Sequence, residues 1–564
     1  FTAAWKGRFN PPNVWRVLLM HIFGAEPMKR LNASTVSKGF GNSIQEGPYN
    51  VDSWVFVAYD QLNLSLFKTI EQMVGTVGLV FIESASKGRS RPYHKQKLAL
   101  LLSNQRHFAL EAQEAGYPIN YLVTQGSYAE TLTVLANEVG PIHCVEFAEY
   151  STRMELQPLI ESGALVTHPH NGWLTPRSWF TETVGTAPPF RMDRFYRRVR
   201  KETGWLMVDA QPVGDKYSFD EENRKPWRGD PVAPAPPAFT PDGIDHEVKT
   251  MVDDVYSDHP GSVDFTQIPT SEADIAASME FARSCLSHFG TYEDAMSTES
   301  RGLFHTRLAS LLNLHRVMPQ QAAEMALESK AELNNIEGFL RQLIWREYVH
   351  HIHEVTDGFR TLEVNRSLAR RDAQWYDAAP LDGEPHPNHL EQTFPLPKAY
   401  WGQKSGLACL DESVASVMEE GWTHHIPRLM VLSNIAHLLD VQPRELTDWF
   451  HAAFIDAYDW VVEPNVFGMG TFALGSAMMT KPYVAGSAYI NRMSNHCKSC
   501  EFHPKKTCPI GRVYWADFEP HPHAFAGNHR LSIASRNVAK RNKKIKQLDH
   551  RTFHRRTWNA LCPT

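Results

Sequence analysis

Residues 231–237 read Pro-Val-Ala-Pro-Ala-Pro-Pro, and this run divides the 564-residue chain into halves that cannot share one architecture. Proline fixes φ and lacks an amide N–H, so such a stretch forms a stiff extended connector instead of a packed element. Before it, residues 51–59 (VDSWVFVAY), 77–82 and 119–123 are compact β-branched and aromatic runs. Between the second and third, residues 94–115 carry Leu98, Leu101, Leu102 and Phe108 at helical spacing. The order strand, helix, strand predicts a parallel α/β domain. Beyond about Ser271 the β-runs vanish, and residues 340–353, 413–420, 426–439 and 445–457 are amphipathic at helical period. The second domain is therefore expected to be all-helical. The expected organisation is an extension at 1–49, an α/β domain at 50–185, a connector at 186–270, a helical domain at 271–530 and a basic tail at 531–564. No internal repeat is visible.

Composition removes several classes. An apolar fraction of 42% with a net charge of only -6 excludes disorder of the whole chain. The longest uncharged apolar run, 74–82, is far shorter than the roughly 18 residues a bilayer span requires. The mild acidity hides two basic ends. Residues 1–43 hold six Lys or Arg against Glu26 alone, the composition of a transit segment, of a disordered extension or of an expression remnant. The start at Phe1 instead of Met leads us to expect a natural N-terminus further upstream. Residues 530–556 hold ten Lys or Arg opposed only by Asp549, a run attracted to polyanions or simply solvated.

Seven cysteines are too few for a disulfide scaffold and odd in number, which favours a reducing compartment or a metal role. Cys497, Cys500 and Cys508 form C-x2-C-x7-C followed by Pro509. Thiolates two residues apart converge on one ion or cluster without straining the chain. The fourth ligand is open among Cys144, Cys285, Cys409, Cys562, His496 and His503. Structural zinc and iron-sulfur both remain possible by spacing, whereas a redox dithiol would leave the third cysteine idle.

His424 and His425 adjoin near the start of an apolar helical face that begins with Pro427. A helix start disfavours imidazolium, so an acid role for either ring needs a compensating negative neighbour. Trp401, Trp422, Trp449 and Trp460 cluster in the same region, most of them as core. Arg307, Arg346 and Arg428 sit in apolar helical segments and call for anionic partners: Asp459, Glu463 or a bound phosphate.

Seven segments, among them NNIEGFLRQLIWREYV from Asn334, GWTHHIPRLMVLSN from Gly421, DAYDWVVEPNVFGMG from Asp456 and KPYVAGSAYINRMSNHCKSC from Lys481, give the chain a family likeness. Over about 51–536 it resembles the iron-sulfur bacterial photolyases and cryptochromes, the group that repairs (6-4) photoproducts. The resemblance implies a Rossmann-like α/β antenna domain followed by an all-α FAD-binding domain. It implies a 4Fe-4S cluster on Cys409, Cys497, Cys500 and Cys508. For FAD it implies Thr306 and Arg307 at the phosphates, Trp345 and Arg346 in the cofactor site, Arg428 paired with Asp459 beside the ring, and Asn465 near its reactive nitrogen. An arginine there would stabilise reduced anionic flavin.

His424 and His425 then correspond to the histidine pair facing the lesion, with Tyr483 alongside. Moving a hydroxyl between two bases needs a proton as the electron arrives, and imidazole suits that near neutral pH. Trp401 and Trp449 match the electron-transfer chain, and Asp60, Gln61 and Glu83 lie where the family holds a 6,7-dimethyl-8-ribityllumazine antenna. The implied partner is UV-damaged DNA, single- or double-stranded, with the lesion flipped from the stack and the phosphates held by Lys and Arg. No membrane contact and a monomer are expected. The protein is expected to be intracellular: cytoplasmic if bacterial, organellar or nuclear if the basic start is a targeting segment.

Three departures bear on detail. Phe450 stands where the family commonly has a redox-active Tyr, Leu474 replaces an Asp within 468–476, and Pro427 replaces a Gln beside the histidine pair. Repair is the first reading. A photoreceptor with the same cofactors and no repair activity is the second, and a zinc-stabilised flavoprotein with dark redox activity the third.

Overall fold

A computed structural model of the chain describes residues 29–30, 39–45, 50–362, 385–516 and 532–550. Most of the expected extension at 1–49 and Cys562 lie outside the described residues. The first half holds a six-stranded sheet of β1 (Lys29–Arg30), β2 (Ser53–Phe56), β3 (Val77–Ser84), β4 (Ile119–Thr124), β5 (Ile142–Val145) and β6 (Leu165–His168), in the order β1-β4-β3-β2-β5-β6. β2 to β6 are parallel, and β1 alone lies antiparallel to its neighbour. Every residue of β3 is buried. A parallel strand covered on both faces is read as a continuous apolar run, which is why 77–82 stands out in the sequence.

Helices cover both faces. Lys95–Glu114 and Gly243–Val255 pack over Leu79 and Phe81 on one side. Tyr128–Val139 and Tyr150–Glu161 pack over Phe56 and Val80 on the other. A capping box starts Tyr128–Val139: Ser127 Oγ accepts from the Glu130 amide, and the Glu130 carboxylate accepts from that of Ser127. From β2 the chain passes to β3 and β4 on one flank, then to β5 and β6 on the other, so the direction reverses between β2 and β5. In open α/β sheets ligands bind outside the strand carboxyl ends at such a reversal.

Beyond Ser271 the described residues are helical apart from an isolated bridge between Phe394 and Val441. The 23-residue helix Leu333–Val355 buries Leu340, Ile344 and Tyr348 in a core shared with Leu410, Val414, Trp449 and Phe467. Each such large side chain contributes about 1.5–3 kcal/mol by leaving water. The other expected helices form as Ala408–Glu420, a π-wound Pro427–Ser433 leading into Asn434–Leu438, and Pro443–Ala453. The last stops short of residue 457 because Phe454 turns extended and the Ile455 amide donates to the Gly421 carbonyl at 2.9 Å.

Residues 186–270, expected as one connector, are divided between the two cores. Met192–Thr203, together with Arg177–Thr183 just before it, buries Phe180, Phe195, Tyr196 and Val199 in the helical half. The chain then runs through 231–237 without helix or strand. Gly243–Val255 returns to the α/β half, burying Val248 and Val252 against Lys95–Glu114. The basic tail is also anchored. Ser532–Lys540 is helical and Val538 joins the helical core. Its one acid, Asp549, is 2% exposed and takes ion pairs from Arg541 at 2.7 Å and Arg512 at 3.2 Å. No described helix is long and apolar enough to cross a membrane.

Candidate functional site: a thiolate centre, a histidine-arginine core and a sheet-end cavity

Of the six described cysteines, Cys409, Cys497, Cys500 and Cys508 converge on one small, partly enclosed space. Cys409 comes from the first turn of Ala408–Glu420, Cys497 from the short turn His496–Lys498, and Cys508 precedes helix Pro509–Ala516. Leu407, Ile490, Phe502 and Ile510 complete an apolar lining. Burial pushes the Cys409 thiol far up, and its three neighbours raise it further. Burial and the same neighbours push Cys497 up to about 11. Four clustered thiolates, those of Cys409 and Cys508 buried and those of Cys497 and Cys500 half-buried, call for a cationic centre, and the donor set fits a thiolate-bound metal. Cys144 lies in β5 and Cys285 at the end of Glu272–Cys285, away from this space. His496 lines it with Nδ1 unpartnered, and His503 does not line it.

The histidine pair stands at the turn between Ala408–Glu420 and Pro427–Ser433. His424 is buried and stacks on His305, the ring centres 4.1 Å apart. Burial, with His305, His425 and Arg428 nearby, pushes it far below the usual range. His425 is exposed, and the atoms packed around its ring, then Arg428 and Arg341, lower it to about 4. Neither ring is imidazolium near neutral pH, and its charged neighbours are arginines, not the negative group an acid role requires.

Arg428 makes a two-pronged ion pair with Asp456, both N···O distances 2.9 Å, and donates to the Thr423 carbonyl at 2.7 Å. This corrects the expected pairing with Asp459. Asp459 instead accepts from the amides of Tyr150 at 2.7 Å and Ser151 at 3.4 Å, tying the helical half to the α/β half.

The other expected cofactor residues divide. Trp345 donates its indole N–H to Asn465 Oδ1 at 3.0 Å. Arg307, in the left-handed region at φ 55° beside half-buried Thr306, pairs with Glu420 at 2.8 Å and lies 4.1 Å over Trp422. His305 Nε2, Arg307 Nε and His424 Nδ1 are buried without partners. Orphaned polar atoms around one short segment and the histidine turn fit a polar cofactor there. Arg346 does not join Trp345. It is consumed by Asn313, the Leu312 carbonyl and Glu347, under Trp173 and Trp460. Tyr483 is 39% exposed.

Trp449 is fully buried, donates its indole N–H to the Tyr400 carbonyl at 3.1 Å, and touches Tyr400, Phe450 and Phe454 edge-on. Arg428 lies 4.3 Å over Phe454. Trp401, next in sequence to Tyr400, is half-buried at the other end. The aromatic series thus runs from near the surface to the Arg428–Asp456 pair.

At the carboxyl ends of β2, β3 and β5 a cavity of about 60 Å³ opens between the halves. Of the expected antenna residues only Glu83 lines it, held by Arg106 at 2.7 Å and Tyr121 at 2.6 Å. Gln61 instead braces β5 through the Glu146 carbonyl at 2.9 Å, and Asp60 lies behind the wall, where burial raises its carboxyl to about 7. Sequence reasoning missed Lys87, Lys97 and Glu149. Lys87 pairs with Glu149 at 2.6 Å, and burial lowers Lys97 to about 7.

Residues 55–267 match the family described as deoxyribodipyrimidine photo-lyase-related protein, and residues 339–506 match the FAD binding domain of DNA photolyase. The (6-4) photolyase of Agrobacterium fabrum is 31% identical over 500 residues, covering 85% of this chain and 94% of that protein. Two solved structures share the fold. A class III photolyase from Agrobacterium tumefaciens, at 15% identity, covers 93% of this chain and 100% of its own with a TM-score of 0.50. An archaeal photolyase from Sulfolobus tokodaii, at 12% identity, covers 89% and 99% with a TM-score of 0.51. A sheet with its crevice at the strand ends, a helical half built around an arginine-carboxylate pair, and identity along nearly the full length of a relative lead to one assignment: the chain belongs to the photolyase family, with the (6-4) photolyases.

Proposed function

We propose that this chain is a light-driven (6-4) photolyase that splits pyrimidine-pyrimidone photoproducts in DNA. The observation that carries the reading is the adjacent His424–His425 pair placed one helical turn before the bidentate Arg428–Asp456 pair. FAD, held by Arg307, Trp345, Asn465 and Arg428, supplies the photoexcited electron when bound and reduced. The chain's own residues do the rest. Arg428 gives the site a positive charge that Asp456 orients but does not bury. His425 presents a neutral ring to the opening, and negative charge brought by the damaged strand raises its proton affinity, so that it carries a proton when the hydroxyl moves between bases. Trp449 and Trp401 lead electrons in from the surface.

The four convergent cysteines hold a 4Fe-4S cluster in this reading. Four thiolates suit zinc and iron-sulfur alike, and the likeness to the iron-sulfur photolyases is what supports the cluster. The sheet-end cavity takes a ribityllumazine antenna, its lysines and tyrosines offering donors to a polar, planar guest. The substrate is flipped from either single-stranded or duplex DNA by a monomer.

A repair assay on a (6-4)-containing oligonucleotide under near-UV or blue light tests the reading. Wild type is expected to restore the bases and His425→Ala to bind without repairing. An illuminated wild type carrying fully reduced FAD that leaves the lesion intact would overturn it.

A further inference from the structure

The C-terminal end of helix Leu333–Val355 holds a group of side chains that repair does not use. One ring nitrogen each of His350 and His351 and a carboxylate oxygen of Glu354 all lie within 4.8 Å of one another. His350 is 7% exposed and His351 2%. Nδ1 of each is buried without a hydrogen-bond partner. Thr175 explains the orientation of His351. Its hydroxyl lies 3.1 Å from Glu347 Oε2 and 2.9 Å from His351 Nε2. Donating to the carboxylate, the hydroxyl must accept from the ring, so Nε2 carries the proton and Nδ1 presents a lone pair. That lone pair faces Glu354 Oε2 at 3.8 Å, two acceptors across a gap too long for a charge-assisted hydrogen bond. Glu354 Oε1 is turned the other way, to Arg177 at 3.3 Å.

Stacking on Trp173, with ring centres 3.5 Å apart, holds the plane of the His350 ring. A lone pair of His351, a ring nitrogen of His350 and a carboxylate oxygen of Glu354 thus gather within 4.8 Å of one another, a donor set that a cation satisfies.

We propose that His350, His351 and Glu354 bind one zinc ion, with a fourth position open to water. Two imidazoles, one carboxylate and an open position form a common zinc donor set, and a hydrogen bond that fixes the tautomer of a ligating histidine is its usual support. Glu354, 30% exposed, gives the ion its way in. All three ligands belong to the long helix, and Thr175 and Arg177 hold His351 and Glu354 from the neighbouring segment through hydrogen bonds. This site is separate from the cysteines and independent of the repair reading.

The test uses the full-length holoprotein, washed with EDTA, then titrated calorimetrically with zinc chloride while iron and zinc per chain are measured. The expected result is one zinc per chain with iron unchanged, and a melting midpoint that rises with zinc. Glu354→Gln should weaken zinc binding at least tenfold and abolish the rise. Thr175→Val should weaken it by about 10–100-fold through the freed tautomer. Glu354→Gln is partly exposed and is checked by its zinc-free melting midpoint, so a folding defect is seen separately. A wild type that binds no zinc at micromolar concentration, or a Glu354→Gln that binds it equally well, overturns the proposal.

Discussion

At Glu463 burial alone would raise the carboxyl, but the hydrogen bond with His353 at 3.1 Å and Arg444 at 2.9 Å outweigh it and hold the group at about 2. Unfolded, the same carboxyl titrates near 4.5. Its folded value is depressed, so its contribution is fully present above pH 4.5 and is lost as pH falls towards 2, about 3 kcal/mol in all. Denaturant melts of wild type and Glu463→Gln across that window should converge as acid removes what the variant already lacks. Asp456 makes a sharper case. Asp456→Ala strands Arg428 without its counter-ion, and a loss of about 3 kcal/mol in the same melts is expected. Sequence reading recognised that Arg428 needs a carboxylate but chose Asp459. Carboxylates at 456, 459 and 463 all lie downstream, and only the extended turn after Ala453 decides which reaches back. Partners set by a turn are invisible in a linear pattern, whereas the need for one is not.

Helices and strands were legible where burial writes a plain apolar pattern, either a continuous run or a stripe. β3, with both faces covered, and Leu333–Val355, with a long apolar stripe, both announce themselves. The π-winding of Pro427–Ser433 has no counterpart in periodicity. The cysteine spacing named three ligands and the family resemblance added Cys409, which the packing of Ala408–Glu420 against the C-terminal turns brings to the other three. Cys409→Ser should release the metal centre, read as iron falling from about four per chain to near zero, and should lower the melting midpoint of the helical half. In Pro443–Ala453, Trp449→Phe keeps most of the packing but removes the easily oxidised ring. Photoreduction of the flavin, followed by absorbance under steady illumination, should slow by at least tenfold while the melting midpoint moves little. Trp449→Ala would mix that effect with about 3–5 kcal/mol of lost core.

For the molecule as a whole, two architectures separated by a proline run were readable from the change of period, but their interlocking was not. Lys87, Lys97 and Glu149 meet only because the strand order reverses between β2 and β5, a fact of topology that no local pattern carries. Affinity for damaged DNA should fall linearly on a log-log plot against salt, with a slope of about -0.9 per phosphate neutralised in duplex DNA. A filter-binding series would show it. Replacing Lys543 and Lys544 with Gln tests whether the exposed side of the anchored tail shares in this, since a shallower slope is expected if it does. The return of Gly243–Val255 onto the opposite half has a practical consequence for anyone cutting the protein. A single protease nick within 231–237 should give two bands on a denaturing gel yet one peak on a sizing column, because each fragment fills part of the other's interior.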